Sequence, residues 1–253
     1  MNICLFSQEE INQPLSVNDE RGEHIIKILH KKEGDSFSAG IINGMAGTAL
    51  INRIEDKKIF FSFKPESEGK SLYPLKMIIG FPRPIQLKRL LRDIAALGVC
   101  EVHLTGTELG EKSYMQGDIA QPKKAFELLK EGCQQAASTH IPQVETFDSL
   151  KSCLNFACDK ENQVKKENRV KIALDNVNPA SSLDSFLSLN ENGLLENGAI
   201  AAIGNERGWT DNERAMLEKN GFALCSMGNR ILRTETAATV AASIILNEMG
   251  VLK

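Results

Sequence analysis

Residues 228–237 (GNRILRTETA) contain the densest set of side chains that could act on a ligand. Arg230 and Arg233 flank an Ile-Leu pair, and a guanidinium can donate two parallel hydrogen bonds to a planar acceptor. Thr234 is a candidate N-cap for the helix predicted to follow. In a plainer interpretation, the arginines lie on the surface, Glu235 interacts favourably with the helix dipole and Thr234 caps the helix. That interpretation explains each residue taken singly, but it explains less well why all of them occur together in one string.

Three apolar runs end in glycine or polar residues that a ligand could approach. They end at residues 173–175 (Ala-Leu-Asp), 203–208 (Ile-Gly-Asn-Glu-Arg-Gly) and 227–230 (Met-Gly-Asn-Arg). In an open parallel sheet, ligands bind beyond the carboxyl ends of the strands, and glycine there leaves the backbone accessible. The glycine spacing fits neither a dinucleotide-binding loop nor a P-loop. We therefore expect a ligand cleft at these strand ends, although any one glycine alone is explained by a chain reversal.

Strands and helices alternate from about residue 75 to the end of the chain. Strand patterns cover 75–81, 102–106, 171–175, 199–204 and 222–228, and helical patterns cover 85–98, 122–138, 210–221 and 234–250. Thr210 and Glu213 have the spacing of a capping box. This alternation predicts an α/β domain with a mainly parallel sheet. The charged run at 159–169 predicts a solvated surface loop.

Residues 1–70 predict a separate, β-rich domain. Short apolar stretches are separated by turn sequences, of which Asn43-Gly44 is the clearest, because both central residues of a tight hairpin turn adopt positive φ. The segment 20–29 predicts one short helix before the strands. The small, polar stretch at 66–71 predicts a linker. We therefore divide the chain into a first domain at 1–70 and a second at 71–253.

The composition limits the class of protein. The chain has 253 residues, of which 30 are basic and 33 acidic, for a net charge of −3. This average argues mildly against a nucleic-acid partner, although a local basic patch would suffice for one. The six cysteines are not spaced as zinc or redox pairs, so we expect no metal site. No signal peptide and no run of about 20 apolar residues is visible, which predicts a cytoplasmic protein without a membrane segment.

The C-terminal string resembles the last signature of a known family of RNA methyltransferases, the RsmE family. Residues 228–241 resemble the family's L-G-x-R-I-L-R-T-E-T-A. Residues 199–213 (AIAAIGNERGWTDNE) resemble its I-G-P-E-G-G-[FL]-[ST]-x-x-E, at the correct distance upstream. Weaker matches in the same order lie at 23–29, 97–99 and 135–142. The resemblance therefore covers nearly the whole chain.

The resemblance implies a fold and an activity that composition and periodicity do not reveal. It implies a SPOUT-type domain, in which a deep trefoil knot forms the cofactor pocket beside the parallel sheet, and a small N-terminal PUA-like β-barrel that binds RNA. It implies S-adenosyl-L-methionine as the cofactor and methylation of N3 of a uridine in small-subunit (16S) ribosomal RNA. The implied partners are ribosomal RNA and a second copy of the chain, in a homodimer, with no DNA and no membrane.

The resemblance also implies which residues form the site. The cofactor-binding residues, which act largely through the backbone, are Leu174, Gly204, Glu206, Gly208, Met227, Gly228, Ile231, Leu232, Thr234 and Thr236. Transfer of a methyl group to an imide nitrogen requires proton removal, charge stabilisation and placement of the reacting groups in line. Arg233 is the candidate for stabilising the uracil anion or orienting the nucleotide, and Glu235 for holding Arg233 or the knot loop. The proton acceptor is left open, water included.

Departures from the family pattern leave two alternatives. Arg207 replaces a small residue of the family's Pro-Glu-Gly-Gly, and Ser138 stands where an arginine follows the family's Gln-Ser pair. Several cations expected to hold RNA are missing, so one alternative is a methyltransferase with a different RNA target. The other is a catalytically silent RNA-binding or ribosome assembly factor. The direction of Arg207 discriminates between them, because a guanidinium that fills the cofactor slot would favour the silent protein.

Overall fold

The computed structural model describes residues 1–163 and 169–252, with no account of the side chains of 158–163. The chain forms two compact units. The first contains Met1–Leu72 together with Lys130–Ile141, and the second contains Tyr73–Leu129 and Pro142–Lys253. Each unit has its own sheet.

The sheet of the first unit is largely antiparallel. Its strands are β1 (Cys4–Phe6), β2 (Leu15–Ser16), β3 (Ser36–Ile41), β4 (Ala46–Glu55) and β5 (Lys58–Ser67). They lie in the order β1-β3-β4-β5-β2, and only β1 and β3 pair in parallel among these neighbours. A turn joins β3 and β4 at the predicted place, but of its two central residues only Asn43 (φ 56°) adopts positive φ and Gly44 does not, so the predicted turn conformation is wrong in part. Asp56 and Lys57 make the next tight turn at φ 50° and 59°, as a hairpin between twisted strands requires.

The predicted short helix in the first unit is also confirmed. Helix α1 (Glu20–Glu23) continues through a π-helical turn at His24–Ile28. It begins at Asp19, whose carboxylate accepts a hydrogen bond from the Arg21 amide and satisfies one of the open donors at the helix start. Ile25 is fully buried against the strands and belongs to the same core as Phe6, Phe37 and Ile51. The helix thus closes one side of the first unit's core.

The sheet of the second unit is entirely parallel, as predicted. Its strands are β6 (Tyr73–Gly80), β7 (Val99–Thr105), β8 (Gln143–Phe147), β9 (Val170–Leu174), β10 (Ser181–Ser182), β11 (Ala199–Ile203) and β12 (Ala223–Ser226). They lie in the order β10-β12-β9-β11-β6-β7-β8. Every residue of the central strand β11 is buried, because the sheet is covered on both faces.

Helices form the covering layers. They are α2 (Pro84–Ala96), α3 (Lys112–Met115), α4 (Pro122–Gln135), α5 (Leu150–Gln163), α6 (Leu183–Leu189), α7 (Glu191–Asn197), α8 (Asp211–Lys219) and α9 (Thr234–Glu248). Helix α9 packs with α2 and α6 against β6 and β11. The buried residues Leu154 of α5 and Leu217 of α8 share a core cluster with Trp209. The predicted capping box at the start of α8 is present, between Thr210 and Glu213.

Several predicted boundaries are wrong. Helix α5 extends through Gln163, so residues 159–163 are helical and not a loop, while 164–168 lie outside the described residues. A charged composition suits the exposed side of a helix as well as it suits a loop, which explains the error. Helix α4 ends at Gln135, before the predicted 138, and Ala137 adopts a φ of 54° that no helix can continue. Strand β8 and helix α5 were not predicted, since their short apolar patterns are ambiguous.

The described part of the chain contains neither a candidate metal cluster nor a membrane-length helix. No group of three or more His, Cys, Asp or Glu side chains is arranged to hold a metal ion within 1–157 and 169–252. No described helix combines the length and the apolar content needed to cross a membrane. The five cysteines whose side chains are described are free thiols. Burial raises the pKa of Cys133 and of Cys153 to about 12, so both stay protonated at neutral pH.

Candidate functional site

A cavity of about 330 Å³ lies where β9, β11 and β12 end. The three strands are neighbours in the sheet and run in parallel, so their carboxyl ends meet at one edge. The segments that follow the strands form the wall, and the start of α9 completes it through Thr234 and Ala237. The volume lies in the range of small-molecule and cofactor sites.

The structure brings together most of the predicted cofactor-binding residues. Nine of the ten line the cavity: Leu174, Gly204, Glu206, Gly208, Met227, Gly228, Ile231, Leu232 and Thr234. Thr236 is exposed on α9 and does not line the cavity. Arg233 and Glu235, the two predicted catalytic residues, flank Thr234 but are also outside the lining. The cavity further includes Asn176 and Val177, which follow β9 and which no sequence pattern singles out.

Glycines shape the cavity wall for a steric reason. Gly208 and Gly228 have φ of 71° and 98°, in the left-handed region that other residues avoid. A Cβ atom on either would meet no atom within 4 Å, so the backbone at both positions faces open space. Gly204 differs, because a Cβ atom there would lie 3.0 Å from the backbone of Gly208. The two segments can approach each other this closely only with glycine at position 204.

The loop after β11 is held in a tight turn. Asn205 accepts hydrogen bonds from the Gly208 amide (2.9 Å, at its carbonyl) and from the Arg207 amide (2.9 Å, at its side-chain oxygen). Glu206 reaches outward and accepts a hydrogen bond from the Arg83 amide at 3.0 Å. These hydrogen bonds fix the loop through its own side chains and through the segment before α2. The cavity wall that the loop forms is therefore preformed.

Arg207 does not plug the cavity. Its guanidinium donates a hydrogen bond to the Glu111 carboxylate at 3.1 Å, and the Arg207 side chain is 63% exposed. The ion pair lies at the rim, and the cavity behind it stays open. An exposed ion pair contributes about 0–1 kcal/mol, so a charged ligand can displace it at little cost.

The segment after β9 is fixed by a buried ion pair. The Asp175 carboxylate accepts two hydrogen bonds from Arg214 of α8, at 2.7 and 3.3 Å, and two more from the amides of Val177 and Asn178. Burial opposes ionisation of Asp175, but the hydrogen bonds from Arg214 and the amides outweigh it and hold its pKa below the usual value. The Trp209 indole N–H also donates to the Leu174 carbonyl, at 3.1 Å. The Arg214 contact ties α8 to the cavity wall, and the Trp209 contact ties the segment before α8 to it.

The start of α9 differs from the prediction by one residue. Arg233 is the N-cap, at φ −69° and ψ 154°, without a side-chain capping hydrogen bond, and Thr234 is the first helical residue. The Thr234 hydroxyl and one Glu235 carboxylate oxygen are buried without a hydrogen-bond partner among the described residues. Arg233 is exposed and forms no ion pair with the described part of the chain, so a surface pairing with Glu206 or Glu235 does not account for it. Buried unpaired groups at a cavity are sites where a ligand can supply the missing partner.

The fold and the site define an α/β domain with a preformed ligand cavity at the carboxyl edge of a parallel sheet. A family model described as the RNA methyltransferase domain matches residues 69–246. The chain belongs to this family of RNA methyltransferases, and the resemblance to the RsmE family is confirmed.

The relatives cover almost the whole chain. It is 40% identical to the ribosomal RNA small subunit methyltransferase E of Treponema pallidum over 250 residues, which are 97% of this chain and 91% of the relative. It is 33% identical to ribosomal RNA small subunit methyltransferase E 1 of Borreliella burgdorferi, over 97% of both chains. In fold, it is similar to the crystal structure of a ribosomal RNA small subunit methyltransferase E from Neisseria gonorrhoeae bound to S-adenosyl methionine. That structure has a TM-score of 0.76 and 20% identity, over 98% of this chain and 97% of that one.

Proposed function

We propose that the chain methylates N3 of a uridine in small-subunit (16S) ribosomal RNA, with S-adenosyl-L-methionine as the methyl donor. The proposal is supported by the family, by relatives named as small-subunit ribosomal RNA methyltransferases, and by similar structures that hold the cofactor. The observation that carries it is the cavity at the ends of β9, β11 and β12, which contains nine of the ten residues expected from the family pattern.

The cavity residues fit the cofactor in chemistry. When bound, the cofactor supplies an electrophilic methyl group on a sulfonium centre. The glycine-marked strand ends at Gly204, Gly208 and Gly228 would hold it through backbone atoms, and the apolar side chains of Leu174 and Leu232 would cover its uncharged parts. The buried, unpartnered Thr234 hydroxyl would gain a hydrogen bond from the cofactor's polar groups, and Glu206 completes the set, whereas Thr236 lies outside the cavity wall.

Arg233 is proposed to act on the RNA. Its exposed guanidinium adjoins the cavity through Thr234 and has no ion-pair partner in the described chain, so it is free to bind an acceptor. Two hydrogen bonds to a uracil carbonyl would stabilise the negative charge that spreads from N3 as the proton leaves. Glu235 is proposed to hold Arg233 or the adjoining loop once the ligand is bound. The proton acceptor is water or a carboxylate of the site.

We propose the knotted SPOUT topology for the second unit. Strand β10 lies beyond β12 in the sheet, so the segment between β9 and β10 crosses the carboxyl end of β12. The chain that leaves β12 must pass this crossing segment to reach α9, which packs against β6 and β11. Such a crossing is what a trefoil requires, and it supports the proposal. The largely antiparallel sheet of the first unit is proposed to be the PUA-like, RNA-binding domain.

We further propose that the chain forms a homodimer and that it acts in the cytoplasm, where ribosomal RNA is assembled into ribosomes. Among the apolar residues of α9 and its C-cap, Ile245 is fully buried within its own subunit, whereas Val240, Ile244 and Met249 keep part of their surface accessible. These three residues are proposed to contact the partner. Light scattering should report twice the chain mass of 27.9 kDa, and a constant 27.9 kDa across micromolar concentrations would contradict the dimer.

The position of the Arg207 side chain bears on the choice between an active enzyme and a silent assembly factor. A silent assembly factor would be favoured by a side chain that fills the cofactor slot, but Arg207 pairs with Glu111 at the rim and leaves the slot open. This favours an active enzyme. A methyltransferase with a different RNA target remains the second candidate, since Ser138 stands where the resemblance places an arginine expected to hold RNA.

Two experiments test the proposal in sequence. Calorimetry should show S-adenosylmethionine or its demethylated product binding in the micromolar range, about −8 kcal/mol. Absence of heat and of any thermal shift at millimolar ligand would end the methyltransferase proposal. Mass spectrometry of ribosomal RNA from a deletion strain and its parent should then show the loss of one methylated uridine in 16S RNA. A loss elsewhere would establish the different target, and no loss the silent factor.

A further inference from the structure

A second cavity, of about 410 Å³, lies at the carboxyl ends of β6, β7 and β8. Phe81 follows β6, Thr107 follows β7 and Asp148 follows β8, and all three residues line it. The cavity shares the sheet edge with the first one but none of its lining residues. It is large enough for a nucleotide, and none of the proposed cofactor-binding residues belongs to it.

The lining contains two lysines and the four carboxylates of Glu108, Glu111, Asp148 and Glu213. Glu111 is paired with Arg207, and Glu213 accepts hydrogen bonds from the amides of Glu108 and Thr210. Lys112 and Lys151 line the cavity, and neither forms an ion pair with any residue that the structure describes. Their charges are therefore available to a ligand. On another part of the wall, Glu108 is fixed in place by two contacts, a hydrogen bond from its amide to Glu213 at 2.9 Å and one from the Thr210 hydroxyl at 2.6 Å.

A buried hydroxyl in the same wall lacks a partner. The Thr107 Oγ1 atom is buried and makes no hydrogen bond to a described residue. A Cβ atom at Gly110 would lie 2.8 Å from it, so glycine at position 110 leaves space beside the hydroxyl. A buried polar group without a partner costs about 1–3 kcal/mol, and a ligand that pairs with it recovers that cost.

The two cavities are joined by one ion pair. Arg207 lines the first cavity and Glu111 lines the second, and their charged groups are 3.1 Å apart. A nucleotide in the second cavity would thus lie next to a cofactor in the first, along one edge of the sheet and close to the nucleotide that receives the methyl group.

We propose that the second cavity binds an extruded nucleotide of the RNA substrate, next to the one that is methylated. Lys112 and Lys151 bind its phosphate, and Thr107 and Glu108 bind the donor and acceptor groups of its base. Sequence-specific RNA recognition uses unstacked bases held by such contacts, and flanking nucleotides commonly set the sequence context of base-modifying enzymes. The inference rests on the proposed function and adds a specificity site to it.

The test compares two double variants of the full chain. Lys112→Ala/Lys151→Ala removes the two cavity lysines, and Lys123→Ala/Lys124→Ala removes two exposed lysines of α4 outside both cavities. The probe is 16S RNA from the deletion strain, with affinity measured at several salt concentrations. The cavity variant should weaken binding about tenfold and lower the salt slope by about one for each phosphate that the lysines no longer bind. The α4 control should change affinity less than about twofold.

A third variant separates binding from folding. Thr107→Val replaces the unpartnered hydroxyl by a methyl group of the same shape, so the unfolding temperature should stay equal or rise, while RNA affinity falls about three- to tenfold. Equal RNA affinity in the cavity and control variants, or parental affinity in Thr107→Val, overturns the inference. In every case, unchanged S-adenosylmethionine binding keeps the proposed function separate from this result.

Discussion

The Arg214 guanidinium donates two hydrogen bonds to the buried Asp175 carboxylate and so joins α8 to the segment that follows β9. The side chains of Arg214 and Asp175 are 10% and 2% exposed, whereas those of the other cavity-side ion pair, Arg207 and Glu111, are 63% and 52% exposed. The two arginines lie seven residues apart, and their ion pairs differ in burial and in hydrogen bonding, since Arg214 donates two hydrogen bonds to Asp175 and one to Asp211, whereas Arg207 donates one to Glu111.

This difference predicts unequal effects of two matched substitutions. Arg214→Ala leaves the Asp175 carboxylate buried without its guanidinium and should cost about 3–5 kcal/mol of unfolding free energy. Arg207→Ala breaks an exposed pair and should cost about 1 kcal/mol or less. Urea denaturation of both variants measures the two costs. Equal costs would show that the Asp175 pair does not hold the cavity wall together.

A substitution at Gly228 should separate backbone strain from ligand binding. Gly228 and Gly34 have φ of 98° and 86°, and a Cβ atom on either would meet no atom within 4 Å. Alanine at either position should therefore cost a similar ~1–2 kcal/mol of stability. Only Gly228 lines the cavity, so Gly228→Ala alone should also weaken S-adenosylmethionine binding, about tenfold or more by calorimetry. An equal affinity in the two variants would argue against the cavity as the cofactor site.

Arg233→Ala should lower the rate of methyl transfer about 10²–10³-fold, the range for losing one donor to a developing anion. A contact that strengthens only in the transition state leaves cofactor affinity nearly unchanged. Arg233→Lys should restore only part of the rate, because an ammonium keeps the charge and loses the paired geometry. Arg89→Ala, at an exposed arginine of α2 outside both cavities, is the control. A parental rate in Arg233→Ala on the true substrate would remove Arg233 from the mechanism.

Glu101 should make the stability of the second unit depend on pH. Burial opposes its ionisation, but its contacts with His103 and with Lys76, at 3.1 Å, prevail and lower its pKa from 4.5 to about 2. The folded chain holds the Glu101 proton less tightly than the unfolded chain does. The ionised Glu101 carboxylate therefore stabilises the folded chain above about pH 4.5, and this stabilisation is lost as the pH falls towards 2. Glu101→Gln should flatten the stability profile between pH 5 and 2 by about 1–2 kcal/mol, after solvent screening. A profile parallel to that of the parent would contradict this assignment.

Most of the cavity wall could be predicted from the sequence, because it consists of short segments that directly follow the strands. Parallel strands bring their carboxyl ends to one edge, so Leu174, Gly204 and Met227 converge once the strands are assigned. The family resemblance added Ile231 and Leu232, which periodicity does not single out. Thr236 lies outside the wall because Thr234 and Ala237, three residues apart on one face of α9, line it, and Thr236 lies on another face.

The contacts that hold the wall could not be predicted. Asp175 and Arg214 are 39 residues apart, and Arg207 and Glu111 are 96 apart. Each partner alone is an ordinary charged residue, and only the register of the parallel sheet brings the pairs together. The second cavity was missed for the same reason, since Thr107 and Lys151 come from segments that no sequence pattern connects.

The discontinuity of the first unit has a consequence for synthesis. The amides of Asn2 and Ile3 donate to the Gln134 carbonyl at 2.9 and 3.2 Å, and the Asn43 amide donates to the Thr139 carbonyl at 2.8 Å. A nascent chain emerges from the ribosome in order, so the first strands must wait for more than half of the polypeptide before these bonds can form. Asn2, Ile3 and Asn43 therefore lack these partners until residues 134–139 have been translated.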